Sequence, residues 1–316
     1  MLMESNSSKS NTGIRVIIPG ALTTVQDAGR FDYQQAGMMC SGVMDTDAYE
    51  AAGYLVGNTD GEAVLEYTVF GGTYLFESDC IIAITGADMK PSLNGSPCPM
   101  YRPVFVKAGS RLVLGAAVNG CRTYLGVSGG IDVPVVMGSR STCMKCRIGG
   151  YLGRALCSGD LLPVGRSAVS FEQLSGRSIR QPVYSDTITV RAIAGPQDEY
   201  FTDKGKRTFY SCAFTVSDQS DRMGCRLNGP AVESFHGTDI ISDGIVFGSV
   251  QITSAGQPII LLADRQTTGG YAKIATVCTA DLPLLAQARP GSTIHFKEIT
   301  VEEAQQATEK TAELLP

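Results

Sequence analysis

The stretch Asp264-Arg265-Gln266-Thr267-Thr268-Gly269-Gly270-Tyr271 follows the apolar run Ile259-Ile260-Leu261-Leu262. An acid, a base, an amide, two hydroxyls, two glycines and an aromatic thus stand at the end of what reads as a buried strand. Glycine lets the backbone turn through positive φ and approach a ligand closely. The polar side chains beside it offer donors and acceptors to a small, polar, uncharged group. Similar clusters recur: Gln26-Asp27 with Arg30; Ser41-Gly42-Val43-Met44-Asp45; Gly138-Ser139-Arg140-Ser141-Thr142; and Ser217-Asp218-Gln219-Ser220-Asp221-Arg222-Met223-Gly224. Taken singly, each suits a solvated turn or a helix cap. Five loops that mix Arg or Asp with Ser, Thr and Gly predict one shared polar pocket instead. Arginine presents a planar fork to carboxylate or amide oxygens, and aspartate can order that fork or take a proton.

The familiar catalytic signatures do not account for these loops. Gly126-Val127-Ser128-Gly129-Gly130 matches the G-x-S-x-G nucleophile elbow, but that elbow needs a helix directly after the serine. Ile131-Asp132-Val133-Pro134 follows, and its β-branched residues and proline argue against one. His236 and His295 are the only histidines, and they read as a loop residue and a strand residue. Cys143-Met144-Lys145-Cys146 has C-x-x-C spacing, yet a zinc site needs two more ligands and there is no second C-x-x-C. No metal is expected, and the cysteines should be free thiols. Neither G-x-x-x-x-G-K-[ST] nor G-x-G-x-x-G occurs, so any ATP used should be held by another chain.

The elements that must position these loops are mostly strands. Residues 14–19 read as the first strand. Asp45 caps a helix whose apolar face is Ala48, Ala52, Leu55 and Val56, and Gly57-Asn58 ends it. Short strands then recur at roughly ten-residue spacing between Gly, Pro, Asn and Asp turns, the pattern of a β-barrel or sandwich: 63–68, 73–76, 81–85, 104–106, 111–114 and 123–127. The polar stretch 167–182 marks a boundary. The expected organisation is a disordered tail (1–13), an N-terminal β-rich half (14–166), a C-terminal β-rich half (187–298) and a helix (300–315) opened by the capping box Thr300-x-x-Glu303. In 316 residues, apolar types make up 43% and charged types 18%, the composition of a compact globular protein. Net charge −5 argues against a nucleic-acid partner. With no apolar run long enough to span a bilayer and no signal-like leader, a cytoplasmic protein is expected.

The ordered motifs Gln26-Asp27-x-Gly29-Arg30, Ser41-Gly42-x-Met44-Asp45, Leu55-Val56-Gly57-Asn58 and Leu65-Glu66 resemble the 5-oxoprolinase C-subunit family. That family is also called KipI antagonist, allophanate hydrolase subunit 2 or biotin-dependent carboxyltransferase. The resemblance continues through Tyr124-Leu125-Gly126-Val127-x-Gly129-Gly130-Ile131-x-Val133-Pro134, Gly138-Ser139-Arg140-Ser141-Thr142 and Gly149-Gly150-x-x-Gly153-Arg154. It ends in Ser217-Asp218-x-x-x-Arg222-Met223-Gly224-x-Arg226-Leu227 and Gln266-Thr267-Thr268-Gly269-Gly270-Tyr271, so it spans about residues 14 to 298. The C-x-x-C departs from the family pattern.

The resemblance implies a mainly β fold with cyclophilin-like β-barrel architecture, two β-rich halves and few short helices. It also implies work beside two partner proteins, the A-subunit of 5-oxoprolinase and its KipI-like B-subunit. Together they open 5-oxo-L-proline to L-glutamate with ATP hydrolysis, this chain being inactive alone. Two other roles stay open: a biotin-dependent carboxyltransferase component of the urea-carboxylase type, and a non-catalytic KipI-antagonist binding protein. Lactam, urea and the biotin ureido ring share a flat N–C=O edge, which needs a donor and an acceptor, and charge building on its oxygen favours a fixed cation. On that basis Arg140 and Arg222 are the expected oxygen-facing donors, and Asp27 and Asp218 the ordering or proton-accepting groups. Gln266, Thr267, Thr268, Gly269, Tyr271, Ser141 and Thr142 are expected to line the pocket.

Overall fold

The computed structural model describes residues 13–59 and 61–312. All but the last residue of the expected N-terminal tail, and the final residues of the expected C-terminal helix, lie outside that range. The fold is mainly β. One six-stranded sheet runs in the order Leu161–Pro163, Gly13–Ile18, Thr73–Phe76, Arg111–Val113, Ser92–Leu93, Ser96–Pro97. A five-stranded sheet runs Leu22–Gln26, Val64–Thr68, Asn119–Val127, Cys80–Asp88, Val104–Val106. Their shared apolar side chains, among them Ile14, Val16, Tyr74, Ile82, Leu112 and Leu125, form one core.

A closed barrel follows in the order Thr187–Ala194, Lys273–Val277, Ser249–Ile252, Pro258–Leu261, Gly224–Asn228, Phe214–Val216, Thr293–Glu298. It closes where Thr293–Glu298 pairs in parallel with Thr187–Ala194, from Thr187 opposite Thr293 to Ala192 opposite Glu298. Closure leaves no free sheet edge, and alternate residues fill the interior. Phe209 stacks on Phe296 there at 4.2 Å between ring centroids. A two-stranded ribbon, Asp239–Gly244 with Thr268–Tyr271, stands beside the barrel.

The helix Thr46–Val56 forms for local reasons. Asp45 accepts from the Ala48 amide at 2.9 Å, Ala48, Ala51, Ala52, Leu55 and Val56 make its buried face, and Gly57 ends it at φ 69°. Met44, one residue before the cap, is buried in the core of the C-terminal barrel, so the Ser41–Asp45 loop joins the two halves. Thr300 and Glu303 close the reciprocal capping box of the last helix, Val301–Ala312. Among the described residues no helix is long and apolar enough to cross a membrane.

Candidate functional site

The five polar loops do not converge on one pocket; the structure sorts them into three places. The first is an internal knot around Asp27, which is buried. Its Oδ1 accepts from the Gly29 amide and from the hydroxyls of Ser139 and Ser141, and its Oδ2 accepts from the Arg140 amide. Arg30, fully buried, donates to the carbonyls of Val136 and Ser141. Thr142 donates to the Val25 carbonyl at 2.9 Å. Asp27, Ser141 and Thr142 therefore tie the 139–142 loop to the end of the strand Leu22–Gln26. The Arg140 side chain points elsewhere, donating to the Val133 carbonyl and bordering a small hollow with Gly129, Gly130 and Glu62. Asp27→Ala is expected to strand two hydroxyls and two amides at once. At about 1–3 kcal/mol for each unsatisfied buried group, partial relaxation should still leave a loss of roughly 3 kcal/mol. A urea unfolding midpoint unchanged from the parent protein would show that the knot carries no such energy.

The second place is a buried charge network at the junction of the halves. Arg222, expected to face a substrate oxygen, has every guanidinium nitrogen engaged inside the protein. Nε donates to Asp264 at 2.9 Å, Nη2 to Asp264 and to the Gly42 carbonyl, and Nη1 to Glu66. The Gly42 carbonyl can come so close because Gly42 sits at φ 94°, where a Cβ would lie 2.8 Å from the Ala28 carbonyl oxygen. The other oxygen of Glu66 accepts from the Met44 amide and the Tyr124 hydroxyl, both at 2.9 Å. Burial alone would favour the neutral form of Arg222. The charges of Glu66 and Asp264 more than offset this, so its pKa is raised and the cation persists.

Tyr124 leads on to Asp45, whose amide donates to the Tyr124 hydroxyl. The Asp45 carboxylate accepts from Gln287 Nε2 at 2.6 Å. Gln287 also accepts from the Cys121 and Arg122 amides and donates to the Arg122 carbonyl, so one amide from the barrel half binds three backbone groups of the other half. Burial pushes the Asp45 carboxyl up to about 7, against the lowering effect of its bonds to Gln287 and Ala48. Beside it runs a mainly apolar groove of about 450 Å³ bordered by Ala51, Tyr101, Tyr184, Ile188 and Pro283. Gln287 was not foreseen; its signal is the single amide that ends the apolar run Leu282-Pro283-Leu284-Leu285-Ala286.

The third place is a polar hollow of about 340 Å³ on the barrel, bordered by Gln266, Gly269, Gly270 and Tyr271, with Asp221, Arg226, Gln251 and Arg265. Of the expected residues, Gln266, Gly269 and Tyr271 meet here. Thr267 and Thr268 continue the same segment, while Asp218 is exposed and accepts from the Ser217 hydroxyl. Gly269 permits the close approach: a Cβ there would come within 2.5 Å of Ile245 Cδ1 and 2.6 Å of Gln251 Nε2. Gln251 Nε2 donates to the Tyr271 carbonyl at 3.1 Å, which holds the wall of the hollow. The hollow thus offers amide donors and acceptors and two guanidiniums between the barrel and its two-stranded ribbon.

The groups of the familiar signatures, which were not expected to form the site, lie apart from it. Ser128 pairs with the Ser167 hydroxyl at 2.8 Å, and a Gly129-Gly130 turn, not a helix, follows it. His236 lies in a bend and His295 on the strand Thr293–Glu298. All ten cysteines are free thiols, and Cys143 and Cys146 sit on a tight turn closed by the Cys143 amide and the Ile148 carbonyl. Among the described residues no group of three or more His, Cys, Asp or Glu side chains is arranged to hold a metal ion.

The family model described as the carboxyltransferase domain, subdomain A and B, matches residues 36–298. The chain belongs to the carboxyltransferase domain family. The carboxyltransferase chain is 40% identical to the 5-oxoprolinase C-subunit of Escherichia coli, over 93% of this chain and 94% of the relative. It is 34% identical to urea amidolyase of Saccharomyces cerevisiae over 94% of this chain, which spans 17% of that larger protein. The crystal structure of Kluyveromyces lactis urea carboxylase superposes with a TM-score of 0.89 at 29% identity, covering 98% of this chain and 29% of the solved one. All three places described above lie largely within the matched carboxyltransferase region, apart from the Asp27–Arg30 side of the first.

Proposed function

We propose that this chain is the C-subunit of an ATP-dependent 5-oxoprolinase, which acts in the cytoplasm with its A- and B-subunits and opens 5-oxo-L-proline to L-glutamate. The observation that carries this reading is the 40% identity that runs over 94% of a relative named as the 5-oxoprolinase C-subunit. A γ-lactam is an unactivated amide, and water attacks it slowly. Transfer of the ATP γ-phosphoryl group to the amide oxygen makes the ring carbon electrophilic and the nitrogen a leaving group. Water then adds at that carbon, the C–N bond breaks as nitrogen takes a proton, and the resulting γ-acyl phosphate is hydrolysed by a second water to glutamate and phosphate, with ADP left from the first step. This chain carries no nucleotide-binding motif, so the partner proteins supply the ATP site. Its own part is to present the lactam, and the Gln266–Tyr271 hollow offers the amide-matching groups for that.

The urea-type relatives support a second reading, a carboxyltransferase component acting with biotin on urea. An assay separates the two. The chain mixed with both partner proteins should release glutamate from 5-oxoproline only when ATP is present, and the chain alone should release none. Carboxyl transfer to urea with no glutamate release would replace the first reading by the second. Gly269→Ala in the assembled enzyme is expected to cut turnover by about 10- to 10²-fold, because displacing Gln251 shifts the wall of the hollow by a fraction of an ångström to an ångström. Full turnover in that variant would remove the hollow from the reaction.

A further inference from the structure

Two guanidiniums border the hollow, and among the described residues neither forms an ion pair with a carboxylate. Arg226, on the strand Gly224–Asn228, is exposed, and its bonds are made by the backbone: the amide donates to the Ser220 hydroxyl, and the carbonyl accepts from the Ser217 amide and that hydroxyl. Among the described residues its side chain has no hydrogen-bond or ion-pair partner. Arg265 is half-buried. It makes a long bond to the Leu262 carbonyl at 3.3 Å and a weak one to Cys40 Sγ at 3.9 Å, and its plane lies 5.5 Å from the Phe247 ring centroid. Its Nε is buried with no partner at all. A half-buried cation with an unmet donor is costly unless an anion completes it. The acid on the rim, Asp221, forms no ion pair with either arginine and accepts from the Met223 and Gly224 amides through its Oδ1. The contrast with Arg222 is direct: four residues upstream of Arg226, that guanidinium is fully balanced by Glu66 and Asp264.

We infer that this hollow is a carboxylate-recognition subsite, in which Arg226 and Arg265 bind the carboxylate of a lactam acid while Gln251 and Gln266 face its amide edge. The inference rests on the proposed 5-oxoprolinase role and deepens it. It explains how one polar framework chooses among substrates that share a flat N–C=O edge. Urea and the biotin ureido ring are neutral at that edge and carry no carboxylate beside it; 5-oxoproline does. Planar guanidinium matches planar carboxylate by two parallel N–H···O bonds, which a lysine cannot reproduce. At about 340 Å³ the hollow is at the small end of ligand sites, suited to a five-membered ring acid.

The test uses the assembled complex and this chain alone. In the complex, Arg226→Gln and Arg265→Gln are expected to raise the KM for 5-oxoproline by about 10-fold or more with kcat within about 3-fold, the signature of lost ground-state binding. Arg226→Lys should recover only part of the loss. Arg226 is exposed, so its variant should fold even where Arg265→Gln does not. An unchanged KM in folded Arg226→Gln, with normal turnover by the parent complex, would overturn the subsite and leave the functional reading intact. If the parent complex releases no glutamate, the functional reading fails, and binding to the chain alone decides the subsite. Saturable, Arg226-dependent binding of 5-oxoproline, with 2-pyrrolidinone and urea at least 10-fold weaker, would support it. Equal binding of all three, or none, would overturn it.

Discussion

Arg222→Ala is expected to destabilise the protein by about 3–5 kcal/mol, the usual cost of removing one partner from a buried ion pair. The reason lies in what is left behind. Glu66 is 1% exposed and Asp264 8%, and both would face the interior without their cation. Glu66 sits on the strand Val64–Thr68 of the N-terminal half, whereas Arg222 and Asp264 come from loops of the barrel half. The loss should therefore appear as a loosened junction between the halves. In thermal unfolding it corresponds to a fall in Tm on the order of 10 °C. Arg222→Lys should recover little, since one ammonium cannot reach Glu66, Asp264 and the Gly42 carbonyl together. Arg226→Ala, four residues on and solvent-exposed, provides the control at within about 0.5 kcal/mol. Were Arg222→Ala to melt within about 2 °C of the parent, roughly the scatter of such measurements, the network would be incidental.

Local rules were legible in the sequence wherever the backbone alone decides. The strands Thr73–Phe76 and Val104–Val106 fall where alternation and turn residues put them, the Asp45 cap and the Gly57 stop bound the first helix, and Thr300 with Glu303 opens the last. Two central strands run longer than expected, Cys80–Asp88 past Thr85 and Asn119–Val127 from before Thr123. Their extensions contain Gly86, Asp88, Asn119 and Arg122, which read as turn or surface residues. Gly86 instead itself adopts a positive φ of 79° within the strand, with its amide donating to the Tyr101 hydroxyl, and Arg122 is buried while donating to the Ala286 carbonyl.

The direction of side chains was not legible. Asp27 and Arg140 share a polar, Gly-framed composition with Gln266–Tyr271, yet the Asp27 loop bonds to the 139–142 loop and the Gln266 segment opens onto a hollow. Composition is the same in both cases; what differs is whether a second loop arrives to satisfy the polar groups. Arg226 and Arg265 stand inside recognised motifs, but only the three-dimensional accounting of partners separates them from Arg222.

Between pH 5 and 7 the protein should lose stability as pH rises, and Asp45 should be the main cause. Burial raises its carboxyl from 3.8 to about 7 in the folded chain. Between those values the folded state holds a proton that the unfolded state has released. The stabilising contribution is thus complete below about pH 3.8 and is lost as pH climbs through about 7. One proton gives a slope of at most about 1.4 kcal/mol per pH unit, so the window from pH 5 to 7 carries at most roughly 3 kcal/mol. Asp47, also raised by burial, adds in the same direction, whereas the lowered carboxyls of Asp88 and Asp160 act at more acidic pH. Asp45→Ser is the informative variant. A serine hydroxyl still caps the Ala48 amide, Gln287 keeps its bond to the Arg122 carbonyl, and no group titrates at that position. Urea midpoints at pH 5, 6, 7 and 8 should fall for the parent and flatten for Asp45→Ser, with Asp47 accounting for the residual slope. Parallel curves for the two proteins would mean that Asp45 is ionised throughout, and that its bonds to Gln287 and Ala48 outweigh its burial.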